Sequence, residues 1–201
     1  MPARARVAWT FLAGLLVVAV GDAAPPAARS AAPTQPAAPA LPSEWLVPGL
    51  ADGKLTPAQI EQQLPDSHPV NYYIYSEQLF RAGRKDQALQ WFYAGQLRYR
   101  FLRSAVPGSA SSGSAALFDG LLQEFGPPVN HYGASDPPNW VKQIDAALQW
   151  DASNPNGYTS KTRYAPQLQN ARDQLLDFRA YVLAHADQLR KKAEATPAPG
   201  Y

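Results

Sequence analysis

The fold is decided by residues 70–103, which read VNYYIYSEQLFRAGRKDQALQWFYAGQLRYRFLR. Nine aromatic side chains fall between Tyr72 and Phe101, and the residues around Gly83 divide the stretch into two helical patterns. The second pattern contains the small residues Ala88 and Gly95 among large apolar ones. Because a small residue lets a neighbouring backbone approach closely, the stretch predicts a tightly packed hairpin of two helices.

The spacing of large and small residues in this hairpin resembles one tetratricopeptide (TPR) repeat. That family places a large, a small and a large residue before a turn glycine, and a small, an aromatic and a second small residue after it. The matching positions here are Tyr75, Ser76, Leu79, Gly83, Ala88, Phe92 and Gly95. Two positions depart from the pattern, since Gly95 stands where Ala is usual and Arg100 replaces the closing proline. A TPR array needs about three repeats, and the sequence contains no second one, so we expect a single hairpin within another bundle.

The resemblance implies a partner-binding surface on the outer face of the first helix. That face carries Tyr73, Glu77, Phe80 and Arg81. The resemblance therefore predicts that these four residues contact another protein. The alternative is that Tyr73 and Phe80 pack against the fourth or sixth helix, and that Glu77 and Arg81 form an ordinary i,i+4 pair worth about 0.3–0.5 kcal/mol.

Helical periodicity continues outside the hairpin, and no segment alternates apolar and polar residues for long enough to form a half-buried strand. A capping box at 56–59 opens a short helix that ends by Pro65. A flexible link is expected at 107–114, a fourth helix from about Ser114 to Gly126, and a fifth capped by Asp136. The sixth, at about 163–193, carries the clearest apolar stripe: Leu168, Ala171, Leu175, Phe178, Val182, His185 and Leu189. We therefore predict an all-α, irregular bundle of about six helices with one TPR-like hairpin and a long C-terminal helix.

The amino terminus predicts export. Arg4 and Arg6 precede an uncharged apolar run at 7–20, which has the length of a secretory signal peptide and is too short to span a bilayer. We expect residues 1–23 to be this signal, cleaved after Ala23 or Gly21, with an uncleaved anchor as the alternative. Residues 24–42 are dominated by Ala and Pro and predict a disordered linker. The folded domain is then expected at 43–194, followed by a disordered tail at 195–201.

The composition excludes several classes of protein. The 201 residues include no Cys, which rules out disulfides, thiolate metal sites and a lipid anchor on cysteine. The formal net charge is +2, and it falls to +1 once the signal is removed, so a nucleic-acid partner is not expected. Arg98, Arg100 and Arg103 do not form one stripe on their helix, and we interpret them as a solvated helix end. No stable membrane anchor is expected after signal cleavage.

No catalytic or metal-binding motif is present in the sequence. The three histidines, His68, His131 and His185, lack the spacing of a zinc site, and there is no GxSxG or phosphate-binding loop. Glu124 and His131 bracket a loop that could line a cleft, but a capped helix end followed by an ordinary loop is the favoured interpretation. We therefore expect no catalytic residue, no metal and no cofactor.

These observations favour an exported helical protein–protein interaction domain, either an adaptor or a neutralising partner, in the periplasm or outside the cell. Two alternatives stay open. One is a cell-envelope hydrolase whose carboxylate pair is remote in sequence. The other is a carbohydrate- or peptidoglycan-binding module that uses surface aromatics such as Trp140 and Tyr132. The partner and the oligomeric state are not encoded in any motif.

Overall fold

The computed structural model describes residues 41–106, 108 and 112–199, and for residues 112–117 it describes the backbone alone. The described residues are mainly helical and contain no strand. They form seven α-helices: α1 (Pro57–Gln63), α2 (Val70–Arg81), α3 (Lys85–Ala105), α4 (Ser112–Ser135), α5 (Pro137–Ser153), α6 (Ala165–Ala184) and α7 (Ala186–Ala195). The all-α prediction is confirmed. The signal, most of the linker, and residues 107 and 109–111 of the predicted 107–114 link lie outside the described residues, whereas 112–114 belong to α4.

Helices α2 and α3 form the predicted hairpin. The turn between them contains Gly83 at φ +77°, a left-handed conformation that favours glycine. At the crossing, a Cβ added to Gly95 would lie 2.9 Å from the Cβ of Tyr72 and 3.0 Å from the ring of Tyr73. The expectation that Gly95 permits close approach of the two backbones is therefore confirmed.

Helix α3 is the central element of the bundle. It packs against α2, α4, α5 and α6, and 14 of its 21 residues are buried. A helix that is apolar on nearly all sides needs neighbours on all sides, which explains why the aromatic residues of 70–103 are gathered here. Phe92 and Leu97, for example, are 1 % and 0 % exposed.

Helix α4 is longer than the sequence predicts. The prediction that it ends at Gly126 is wrong, because it continues through Pro127 and Pro128 to Ser135. A proline inside a helix loses one backbone hydrogen bond and crowds the preceding turn. The packing on both sides offsets this cost, since Phe125 and Val129 are 3 % and 0 % exposed.

The C-terminal helix is divided in two at His185, where a single helix over 163–193 was expected. The imidazole of His185 stacks on the ring of Tyr181, and its Nδ1 lies 2.9 Å from the Tyr181 carbonyl oxygen. Helix α7 then packs against α4. There, Nε2 of His131 lies 3.1 Å from the carbonyl oxygen of Ala193 and 3.0 Å from that of Thr196. The helix after the break at His185 thus packs on α4.

A buried group of charged side chains joins four parts of the bundle. Asp151 of α5 is 0 % exposed, and its carboxylate lies 2.7 Å from Nε of Arg98 on α3. Lys161, in the segment between α5 and α6, lies 3.3 Å from the same carboxylate, and Arg172 of α6 lies 3.7 Å from it. Arg98 is 1 % exposed, so the interpretation of this arginine as part of a solvated helix end is wrong.

Backbone carbonyl groups complete the coordination of these cations. Arg98 Nη2 donates to the carbonyl oxygen of Pro155 at 2.9 Å, and the guanidinium lies over the ring of Trp150. Lys161 Nζ donates to the carbonyl oxygens of Asn154, at 2.7 Å, and Asp151. Burial lowers the pKa of the Lys161 ammonium, and Asp151 opposes that shift. The 154–164 segment is therefore attached to the core through charge rather than through apolar contacts alone.

We predict that Gly95→Ala destabilises the domain by about 1–3 kcal/mol, because the new methyl group would overlap Tyr72 and Tyr73. Gly120→Ala on α4 is the matched control, since a Cβ there meets nothing within 4 Å. The control should raise stability by about 0.5–1 kcal/mol through helix propensity. Urea unfolding measures both changes, and equal effects would contradict the close approach at Gly95.

We predict that Asp151→Asn lowers the free energy of unfolding by about 3–5 kcal/mol, because it leaves the buried Arg98 without a counter-charge. Asp145→Asn is the matched control. Asp145 forms a bidentate pair with Arg179 at 2.6 and 2.8 Å, but its side chain is 46 % exposed. We expect a loss of about 0–1 kcal/mol there. A shift in the urea midpoint no larger for Asp151→Asn than for the control would contradict the role assigned to the buried carboxylate.

Candidate functional site

The four residues implied by the TPR resemblance lie on α2, but they do not share one exposed face. Tyr73 is 1 % exposed, and its ring contacts Phe92 at 5.5 Å and Phe118 of α4 at 5.0 Å between ring centroids. It offers no surface to a partner while α4 is in place. Phe80 is half-buried, with its ring against Phe125 of α4. The alternative, that both aromatics pack against the fourth helix, therefore describes their positions.

Glu77 and Arg81 remain at the surface. Arg81 Nη2 lies 2.8 Å from Glu77 Oε1. The side chain of Arg81 is 64 % exposed and that of Glu77 is 28 % exposed. This is the expected i,i+4 pair. Whether Glu77, Phe80 and Arg81 contact a partner stays a prediction.

An open cavity of about 320 Å³ lies immediately beyond this pair, at the turn between α2 and α3. We call it the turn groove; its walls are Gly83, Arg84, Lys85, Asp86, Gln87 and Tyr132. Five of these residues follow one another at the turn and the start of α3, and the sixth reaches in from α4. The hairpin and the helix that covers it thus build the groove together.

Lys85 is held between two aromatic rings at the edge of the groove. Its Nζ lies 5.3 Å from the ring centroid of Phe80 and 5.5 Å from that of Tyr132. Cation–π contacts of this kind contribute about 0.5–1 kcal/mol at exposed sites. Among the described residues, no carboxylate lies within ion-pair distance of Lys85 or of Arg84. The groove therefore carries two cations against the single carboxylate of Asp86, a net charge of +1, and neither cation forms an ion pair with a described residue.

The carboxylate of Asp86 is already engaged. Its Oδ1 accepts hydrogen bonds from the hydroxyl of Tyr132 at 2.6 Å and from Nδ2 of Asn139 at 2.7 Å. These two hydrogen bonds hold the pKa of Asp86 below its usual value. Burial, followed by the hydrogen bond to Asp86, raises the pKa of Tyr132 to about 12, so its hydroxyl stays a donor.

The carbohydrate-binding alternative assumed that Trp140 lies at the surface, but its side chain is buried. It is 4 % exposed, and its ring packs against Phe178 with 5.4 Å between centroids. Gly133 of α4 makes this possible, because a Cβ there would lie 2.6 Å from the Trp140 ring. Tyr132, the other aromatic named for that alternative, is half-buried in the groove wall.

Among Arg84, Lys85, Asp86 and Tyr132, the sequence singled out only Tyr132, as a surface aromatic of the carbohydrate-binding alternative. Lys85 and Asp86 follow the turn glycine of the predicted hairpin and belong to no motif, and Tyr132 belongs to a stretch expected to be a loop. Residues 85 and 132 are brought together because α4 continues past its two prolines, and no local pattern signals that continuation. Two consecutive basic residues at a helical turn were the only signal available.

No group of three or more histidine, aspartate or glutamate side chains in the described part of the chain is arranged to hold a metal ion. Within the same residues, no helix combines the length and the hydropathy that crossing a bilayer requires. Comparisons with protein-family models, with curated proteins and with solved structures return no match. The class that the structure defines is thus an all-α bundle, and the TPR resemblance of 70–103 stays a prediction.

We predict that Tyr132→Phe raises the pKa of Asp86 towards the ordinary value of about 3.9, because the carboxylate loses its principal hydrogen-bond donor. A carboxyl group whose pKa is lower in the folded state stabilises the fold when the pH is above its unfolded-state pKa. This stabilisation is lost as the pH falls through the folded-state pKa. The stability difference between wild type and variant should therefore shrink below about pH 4. Carbon-13 NMR titration of the Asp86 carboxyl measures the shift, with Tyr158→Phe as control. An unchanged Asp86 titration in Tyr132→Phe would contradict the assigned hydrogen bond.

Proposed function

We propose that this chain is an exported helical domain that binds another protein and acts as an adaptor or a neutralising partner. The observation that supports this proposal best is the turn groove, in which Tyr132 lies beside the half-buried ring of Phe80, with the exposed Arg81 two residues before the turn glycine. Aromatic and arginine side chains are the residues that most often anchor protein–protein contacts. The proposed contact surface comprises Glu77, Phe80 and Arg81 together with the groove.

The location proposed for this function is the periplasm or the extracellular space, and it rests on the signal-like segment 1–23. A cell-envelope hydrolase is not favoured by any arrangement of described carboxylates. A carbohydrate-binding role loses Trp140 as a platform, because that side chain is buried.

Partner capture tests the proposal. Wild-type protein, crosslinked in the cell that produces it and then purified, should carry one stoichiometric polypeptide. Glu77→Ala with Arg81→Ala should reduce the captured amount by about tenfold, as expected when an anchoring arginine is lost. Because this surface pair adds only about 0.3–0.5 kcal/mol to stability, the double variant should keep the thermal midpoint of the wild type.

The matched control is Asp187→Ala with Arg190→Ala, which removes another exposed ion pair, at 2.6 Å on α7. That variant should capture the partner as the wild type does. Two results would overturn the proposal: capture of no stoichiometric polypeptide by the wild type, or turnover of an envelope polymer by the pure protein that a single Asp or Glu substitution abolishes.

A further inference from the structure

We infer that the turn groove binds an acidic segment of a polypeptide partner, with carboxylate side chains placed against Arg84 and Lys85. This inference rests on the proposed function, since it states the chemistry of the partner at the same surface. Three observations support it: the charged side chains that line the groove, the hydrogen bonds and ion pairs that each of them already forms, and the volume of the cavity.

The two cations of the groove are available to a ligand. Within the part of the chain that the structure describes, Nζ of Lys85 lies over two aromatic rings and forms no ion pair, and ring contacts leave the N–H donors of an ammonium able to bind an acceptor. The guanidinium of Arg84 uses Nε to bind the side chain of Gln87, which leaves its two terminal nitrogens to form the bidentate contact that carboxylates favour. Both side chains are exposed.

The acidic residues near the groove do not compete for these cations. Asp86 is satisfied by Tyr132 and Asn139, and Glu77 is paired with Arg81 on the adjoining turn of α2. Asp86 keeps its negative charge, so the groove has a net charge of +1, and an incoming carboxylate would meet two cations without having to displace an existing ion pair. Charge complementarity of this kind selects the partner and accelerates its approach.

The size and the walls of the groove favour a short peptide segment over other anionic ligands. A volume of about 320 Å³ is at the low end of the roughly 300–1,000 Å³ range of ligand pockets. It suits a few side chains but not a whole helix. The rings of Phe80 and Tyr132 offer apolar contact to the carbon chain of a glutamate. Nucleic acid is disfavoured, because two unpaired cations do not form the extended basic surface that a phosphate backbone requires.

The test is an NMR titration of nitrogen-15-labelled full-length chain with the peptide Ac-Ala-Glu-Leu-Glu-Ala-NH2. The control peptide has Gln in place of both Glu residues. We expect the acidic peptide to shift the amide signals of residues 83–87 and to bind at least about fivefold more tightly than the control peptide. Arg84→Gln with Lys85→Gln should weaken binding by at least about fivefold, as the loss of two charge pairs implies.

A matched double variant, Lys54→Gln with Arg163→Gln, removes two exposed positive charges outside the groove and should bind the acidic peptide as the wild type does. Thermal unfolding verifies that all variants are folded. Equal binding of the two peptides, absence of shifts at residues 83–87, or equal loss of binding in both double variants would overturn the inference.

Two further measurements separate other occupants. Inorganic phosphate that saturates the same amide signals at lower concentration than the acidic peptide would assign the groove to small anions and overturn the inference. Dimerisation abolished by Arg84→Gln with Lys85→Gln would assign it to a second copy of this chain, with the same consequence. If cells yield a partner that Arg84→Gln with Lys85→Gln still captures fully, the inference fails while the proposed function stands. If the wild-type protein captures no stoichiometric polypeptide, the proposed function itself fails.

Discussion

Arg98 lies inside the bundle with 1 % of its surface exposed, and the surrounding structure is arranged to neutralise its charge. Asp151 provides the counter-charge at 2.7 Å, the Pro155 carbonyl accepts from Nη2, and Trp150 presents its ring face. A buried ion pair adds little net stability when it is complete, but it is costly to break. The pair therefore acts as a constraint, because α3, α5 and the segment after α5 must keep their relative positions for the charge to stay compensated.

Helix α4 determines what the hairpin can present to a partner. It covers Tyr73 through Phe118 and packs Phe125 against Phe80, so part of the face that the TPR resemblance implies for ligands lies against the chain's own helix. The same helix brings Tyr132 to the turn and completes the groove there. The candidate surface thus loses Tyr73, keeps Glu77, Phe80 and Arg81 of α2, and extends to the groove at the end of the hairpin.

The helical fold could be predicted from the sequence, whereas the groove could not, and the reason is physical. The helical state of 70–103 and the inward position of Gly95 follow from spacing alone, because local periodicity determines which side chains share a face. The continuation of α4 through Pro127 and Pro128 was missed, because a local rule predicted a break and burial of the neighbouring aromatics overcame it. Since Tyr132 lies beyond those prolines, the groove was missed with it.

The absence of cysteine, the near-neutral charge and the helical class were determined by the sequence alone, because composition and local periodicity carry them. The pairing of Arg98 with Asp151, 53 positions along the chain, was decided only by the tertiary structure. So was the meeting of Lys85 with Tyr132. The local sequence around an arginine in a helix rich in aromatic residues does not show whether its side chain faces water or a buried carboxylate. Its structural role depends on which distant side chains the packing places beside it.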